Sequence, residues 1–123
     1  MKRIILLPVL FFISLYLSAA DIAPVSAAFK AGNASGLATC FDAEVDMAVA
    51  GSSKKCDAKG AVDMLNAFFA SNKPTAFTVV HNADKKESGF IVAKLTTAKG
   101  EFRVNISYRA DNGKALIQSI RIE

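Results

Sequence analysis

The sequence predicts an α+β domain, with N-terminal helices packed on a curved antiparallel sheet in the order α-α-β-α-β-β-β-β. Three observations carry that prediction. Residues 21–41 and again 57–72 repeat apolar side chains at helical spacing. Everything after Pro74 alternates apolar and polar residues in four runs divided by short turns. One further alternating run, Val45, Met47 and Val49, lies between the two helical stretches.

The chain opens with Lys2 and Arg3, an apolar run from Ile4 to Leu17, and the small residues Ser18, Ala19 and Ala20, the pattern of a secretory signal peptide. A spanning helix needs roughly 20 apolar residues, and Pro8 interrupts this shorter run, so it reads as a cleaved segment. Cleavage after Ala20 leaves 103 of the 123 residues, one domain, with no cysteine at the site to take a lipid. The expected location is the periplasm or outside the cell, with no stable membrane span after cleavage. Two of the fifteen basic residues go with the leader, leaving thirteen against eleven acidic ones, a balance of +2. So small a surplus argues against nucleic acid as a partner.

The first helical stripe is Ile22, Val25 and Phe29; Gly32 and Asn33 then stop and restart it ahead of Leu37, Cys40 and Phe41. After the strand of Val45, Met47 and Val49, residues 51–55 read as a polar loop. Asp57 is an N-cap for the long helix, whose stripe is Val62, Leu65, Phe68 and Phe69, and Asn72 and Pro74 end it. The four strands that follow are 75–83, 89–98, 101–110 and 114–122, an antiparallel meander.

A two-residue turn at Lys99 and Gly100 would set Thr97 opposite Phe102, Leu95 opposite Val104, Ala93 opposite Ile106 and Ile91 opposite Tyr108. For the last hairpin, a regular two-residue turn at Asn112 and Gly113 would oppose Val104 with Arg121. A three-residue loop at Asp111, Asn112 and Gly113, with Gly113 left-handed, opposes Val104 with Ile120 and is the expectation here.

The stretches AFKAGNASGLATCF, DMLNAFFASNKPTAFTVVHNAD, LTTAKGEFRVNISYR and NGKALIQSIRIE resemble the family of exported Bacteroidota proteins called domain of unknown function 4783. They hold 63 of the 103 residues from 21 to 123 and are spread from residue 28 to the last. The resemblance implies a nuclear-transport-factor-2-like (cystatin-like) cone and supplies no activity. Where that family tends to have aromatic residues, this chain has Cys40 and Cys56.

These two cysteines are the only ones, and the expected compartment lets disulfides persist, so a Cys40–Cys56 bridge is the leading reading. It would close a loop of about 15 residues, worth about 3 kcal/mol. The alternative is two separately buried thiols. Asp42, Glu44 and Asp46 alternate along the first strand and read as a solvated face, since no glycine-turned calcium loop surrounds them. No zinc spacing or redox motif is present, and no metal or cofactor is expected.

Alternation with Phe77 and Val79 turns His81, the only histidine, toward the inner face of the sheet, with Tyr108 and Gln118. Beside the small Ala93, these three are the candidate ligand pocket. The competing reading is that they satisfy one another. An isomerase-like enzyme would need a carboxylate base on that face opposite Tyr108 as donor; the face supplies none, so the base would have to be His81, or Asp63 on the long helix, which lies beside its apolar stripe.

The opposite face presents Lys94, Arg103, Asn105, Ser107, Ser119 and Arg121, interrupted by Phe90, Val92 and Ile117. Two roles follow. The first is a non-enzymatic module binding an unidentified small ligand in the inner cavity, or an adaptor for an envelope protein. The second is a protein-interaction or homodimerisation module using the outer face.

Overall fold

The computed structural model describes residues 21–85 and 87–123; the expected signal peptide, residues 1–20, lies outside the described residues. Helix α1 (Ala23–Ala31) starts on Pro24, whose ring suits the first turn, and stops on Gly32, whose φ of +69° only glycine adopts cheaply. Asn33 then accepts a hydrogen bond from the Ser35 amide and opens a single 3₁₀ turn, Ala34–Leu37, in place of the expected second helix. That turn is tied to the long helix by Asn66, whose side-chain oxygen accepts from the Ala34 amide at 2.8 Å.

Helix α2 (Ala58–Ser71) begins where the sequence places its cap, with Asp57 Oδ1 accepting from the Gly60 amide at 2.9 Å. Its buried face is Ala61, Leu65, Phe68 and Phe69. Among the described residues six strands form one sheet: β1 (Phe41–Val49), β2 (Ser52–Cys56), β3 (Pro74–Asp84), β4 (Ser88–Thr97), β5 (Gly100–Asp111) and β6 (Lys114–Ile122). Their order is β2-β1-β6-β5-β4-β3. All neighbours are antiparallel except β1 and β6, which run parallel, so the sheet is mixed.

Strand β2 corrects the expected polar loop at 51–55. Its sequence, SSKKC, has no apolar alternation to read, because as an edge strand it buries almost nothing. What makes it a strand is the tight turn before it, where Ala50 (φ +49°) and Gly51 (φ +93°) bring Ser52 opposite Val49.

Two registers also differ from expectation. Thr97 pairs with Gly100 rather than Phe102, so Leu95 faces Phe102 and Ile91 faces Ile106. The Thr97 hydroxyl closes this turn, donating to the Gly100 carbonyl and accepting from the Lys99 amide. The shift is by two residues, so every side chain keeps its face. In the last hairpin, Asn112 (φ +53°) and Gly113 (φ +80°) form a two-residue turn rather than a three-residue loop. The mismatch this would cause at Val104 is removed further along by one extra residue, Gln118. Tyr108 pairs with Ile117 but Ser107 pairs with Ser119, and Val104 then meets Ile122.

The core lies between the helices and the inner face of the sheet. Phe29 stacks on Phe77 with centroids 5.0 Å apart and meets Phe69 edge-on at 5.5 Å. Phe68 meets Phe102 edge-on at 5.1 Å. Leu65, Met47, Ile91, Leu95, Ile106, Ile117 and Ile120 are almost fully buried around them. Among the described residues no helix is long and apolar enough to cross a membrane.

Candidate functional site

The three residues expected to line one inner pocket are parted, and two β-bulges part them. In β3, Val79 pairs with Ala93 and His81 with Val92, leaving Val80 as the extra residue. Beyond it, strand alternation resumes one step out of phase. His81 therefore turns to the outer face and lies 5.5 Å, ring to ring, from Phe90. Its neighbour Asn82 takes the inward position, and its side-chain amide donates to the Tyr108 hydroxyl at 3.2 Å and to the Phe90 carbonyl at 3.2 Å.

Tyr108 is inside as expected, only 1% exposed. Its ring lies over its cross-strand partner Gly89. A Cβ at Gly89 would collide with the Tyr108 ring and hydroxyl and stand 2.6 Å from the Ala83 carbonyl. The glycine is needed for that closeness alone, not for an unusual backbone angle. With Asn82 as its side-chain partner, Tyr108 is a satisfied core phenol.

Gln118 is the extra residue of β6 and points outward. Its amide donates to Asp42 Oδ2 at 3.1 Å. Arg109 grips the same carboxylate in a two-armed contact, Nε to Oδ2 at 3.1 Å and Nη2 to Oδ1 at 3.2 Å. The Arg109 fork, the Ala43 amide and Gln118 hold the Asp42 carboxyl far below the usual carboxylate range. Asp42, on β1, is thereby clamped to β5 and β6 where β1 itself loses register with β6 between Phe41 and Asp46. Glu44 and Asp46 are exposed and share Lys55, at 3.8 and 3.9 Å.

Cys40 and Cys56 are both free, which corrects the expected disulfide. Cys40 immediately precedes β1, and Cys56 pairs with Val45, five residues farther along that strand. At roughly 3.3 Å per strand residue the two are far beyond the ~7 Å that a bridge can span. Burial pushes the Cys56 thiol above its ordinary range.

The outer face carries the remaining candidate surface. Lys94 pairs with Arg103, Val92 with Asn105 and Phe90 with Ser107, and the rows continue to Arg121 and Ser119 on β6. Ile117, expected here, is buried instead, because the Gln118 bulge leaves it on the inner side. Val80 is 64% exposed and Phe90 42%. Val80 and Val92 join Lys94, Glu101, Arg103 and Glu123 around a depression of about 440 Å³.

Sequence reasoning missed Val80, Asn82 and the Asp42 clamp. The signal was present as broken alternation. Val79 and Val80 are apolar in succession, His81 and Asn82 polar in succession, and Ile117 and Ile120 stand three apart rather than two.

A curved sheet covered on one side by helices in this order is the nuclear-transport-factor-2-like cone. The chain belongs to the family described as Domain of unknown function (DUF4783), whose sequence profile matches residues 22–123. It is similar to the DUF4783 protein BF1468 of Bacteroides fragilis, with 40% identity over 81% of this chain and 94% of that one, TM-score 0.75. A DUF4783 protein of Bacteroides uniformis is 37% identical over 81% and 93% of the two chains, TM-score 0.76. A protein of unknown function from Silicibacter pomeroyi, called NTF-2 like, shares the fold at 12% identity over 83% and 87%, TM-score 0.62. No curated protein matches the chain in sequence.

Proposed function

We propose that this chain is an exported, non-enzymatic interaction module that docks a protein partner on the outer face of its sheet. The observation that carries this reading is the exposure of Val80 and Phe90 on that face, beside the depression that Lys94, Arg103, Glu101 and Glu123 border. An apolar centre ringed by charges of both signs has the anatomy of a protein–protein contact. The leader-like residues 1–20 support export, and the partner would then be an envelope protein. The rival reading, a small ligand held on the inner face, has lost two of its three groups. His81 and Gln118 face outward, and Phe68 packs on Phe102 beneath the helix.

A photo-crosslinking side chain placed at position 80, and another at the exposed Lys59 of α2, tests the proposal in the native cells. A discrete adduct at 80 with a protein other than a second copy of this chain, and none at 59, is the expected result. Equal adducts at both positions, none at either, or adducts only between two copies of this chain would overturn it.

A further inference from the structure

The two free edges of the sheet are built differently. Strand β2 has five residues, two of them the adjacent Lys54 and Lys55, a device that keeps other strands from pairing there. Strand β3 has eleven, and from Pro74 to Ala83 it carries no Lys, Arg, Asp or Glu. Among the described strands β3 pairs only with β4, so its other side offers a row of backbone donors and acceptors. The two large apolar residues most exposed among the described residues, Val80 and Phe90, belong to this strand and its neighbour.

We propose that β3 pairs antiparallel with β3 of a second copy, joining two six-stranded sheets into one. The charge pattern selects a second copy as the occupant. A two-fold pairing centred on β2 sets Lys54 and Lys55 against each other, whereas one centred between Phe77 and Thr78 pairs residues 74–81 with themselves, where the strand has only neutral side chains and one imidazole, and leaves Asp84 beyond the paired stretch. The stretch from Ala76 to Val79 keeps one register with β4 before the bulge and is the regular part of that edge. Val80, just beyond it, would flank the junction in both copies. A two-fold axis perpendicular to the sheet leaves both outer faces on the same side, so the dimer presents its docking surfaces together.

The test uses the protein purified from its own cells, with sedimentation velocity across a concentration series and hydrogen exchange read at single-residue resolution. A dimer is expected in which β3 amides exchange at least about tenfold more slowly at high than at low concentration. Thr78→Lys and Ala76→Lys, both at exposed positions, should each return a folded monomer with fast β3 exchange. Three results would overturn the proposal. They are a monomer with fast β3 exchange at every concentration, a dimer whose β3 amides stay fast, and a monomer whose β3 amides are slow at every concentration. None of them bears on crosslinking at the outer face.

Discussion

Strands β4 and β5 pair without interruption from Ser88 and Arg109 to Thr97 and Gly100, while β3 slips against β4 twice, at Thr75 and at Val80, and β6 slips against β5 once, at Gln118. In the regular pair, every second side chain is committed to the core: Ile91, Ala93 and Leu95 on one strand, Val104, Ile106 and Tyr108 on the other. In the bulged strands the extra residue is left out of the ladder, and what it exposes is new surface: Val80 on β3, and on β6 Gln118 with its hold on Asp42. The difference teaches that both kinds of strand supply core on one face and surface on the other, as Ile117 and Ile120 of β6 and Lys94 and Arg103 of β4 and β5 show, and that an extra residue is what adds exposed side chain to an otherwise alternating strand. The regular pair fixes the faces, and the interrupted strands add Val80 and Gln118 to the outer one.

The sharpest way to break this comparison is to delete single residues. Removing Asn105 from β5 turns one half of that strand over, sending either Val104 or Ile106 and their neighbours to the wrong face. The domain should then fail to fold, since its whole stability is of order 5–15 kcal/mol. Deleting Val80 or Gln118 instead regularises β3 or β6 and leaves Val79, His81 and Asn82, or Ile117, Ser119 and Ile120, on their present faces. Those two variants should stay folded, with losses near 1 kcal/mol. Circular dichroism and urea denaturation read all three. An Asn105 deletion that folds, or bulge deletions that do not, would break the distinction.

Next in size is the close approach inside the regular pair. Gly89→Ala drives a methyl into Tyr108 and the Ala83 carbonyl and should cost about 1–3 kcal/mol in urea unfolding. Tyr108→Phe, which removes the hydroxyl but keeps the ring over Gly89, should cost less, about 0.5–1.5 kcal/mol. The reverse ranking would mean that the Asn82 hydrogen bond, rather than the glycine's lack of a side chain, holds this end of β3.

Legibility in the sequence followed the same division. Helix caps at Gly32, Asn33 and Asp57 are short-range chemistry, and the structure places them as the sequence does. The faces of β4 and β5 were legible too, and they survived a turn misplaced by one residue because a two-residue slip preserves parity. What parity could not supply was the pair of bulges. Strict alternation puts His81 inside with Tyr108 and Ile117 outside, and one extra residue in each strand reverses both. Strand β2 was illegible for another reason: SSKKC buries so little that no apolar period exists to be read. The disulfide was read from the number of cysteines and the expected compartment, neither of which carries geometry, and the pairing of Cys56 with Val45 on β1 is what holds it away from Cys40.

The smallest expected effect belongs to the clamp at the β6 bulge, and its sign is fixed by the direction of one titration. Asp42 is held well below its ordinary range by Arg109, Ala43 and Gln118. A carboxylate depressed in the folded state stabilises the fold above its unfolded value, near pH ~3.9, and that contribution fades as pH falls toward the folded value. Wild type should therefore lose more stability than Asp42→Asn when acidified from about pH 5 to about pH 2, as the amide does not titrate. At neutral pH the variant should be the less stable of the two, and in acid their unfolding curves should converge. Curves that stay parallel would show that the Arg109 fork adds nothing to the fold, as many surface ion pairs do not. The Gln118 bulge would then expose surface without anchoring β1.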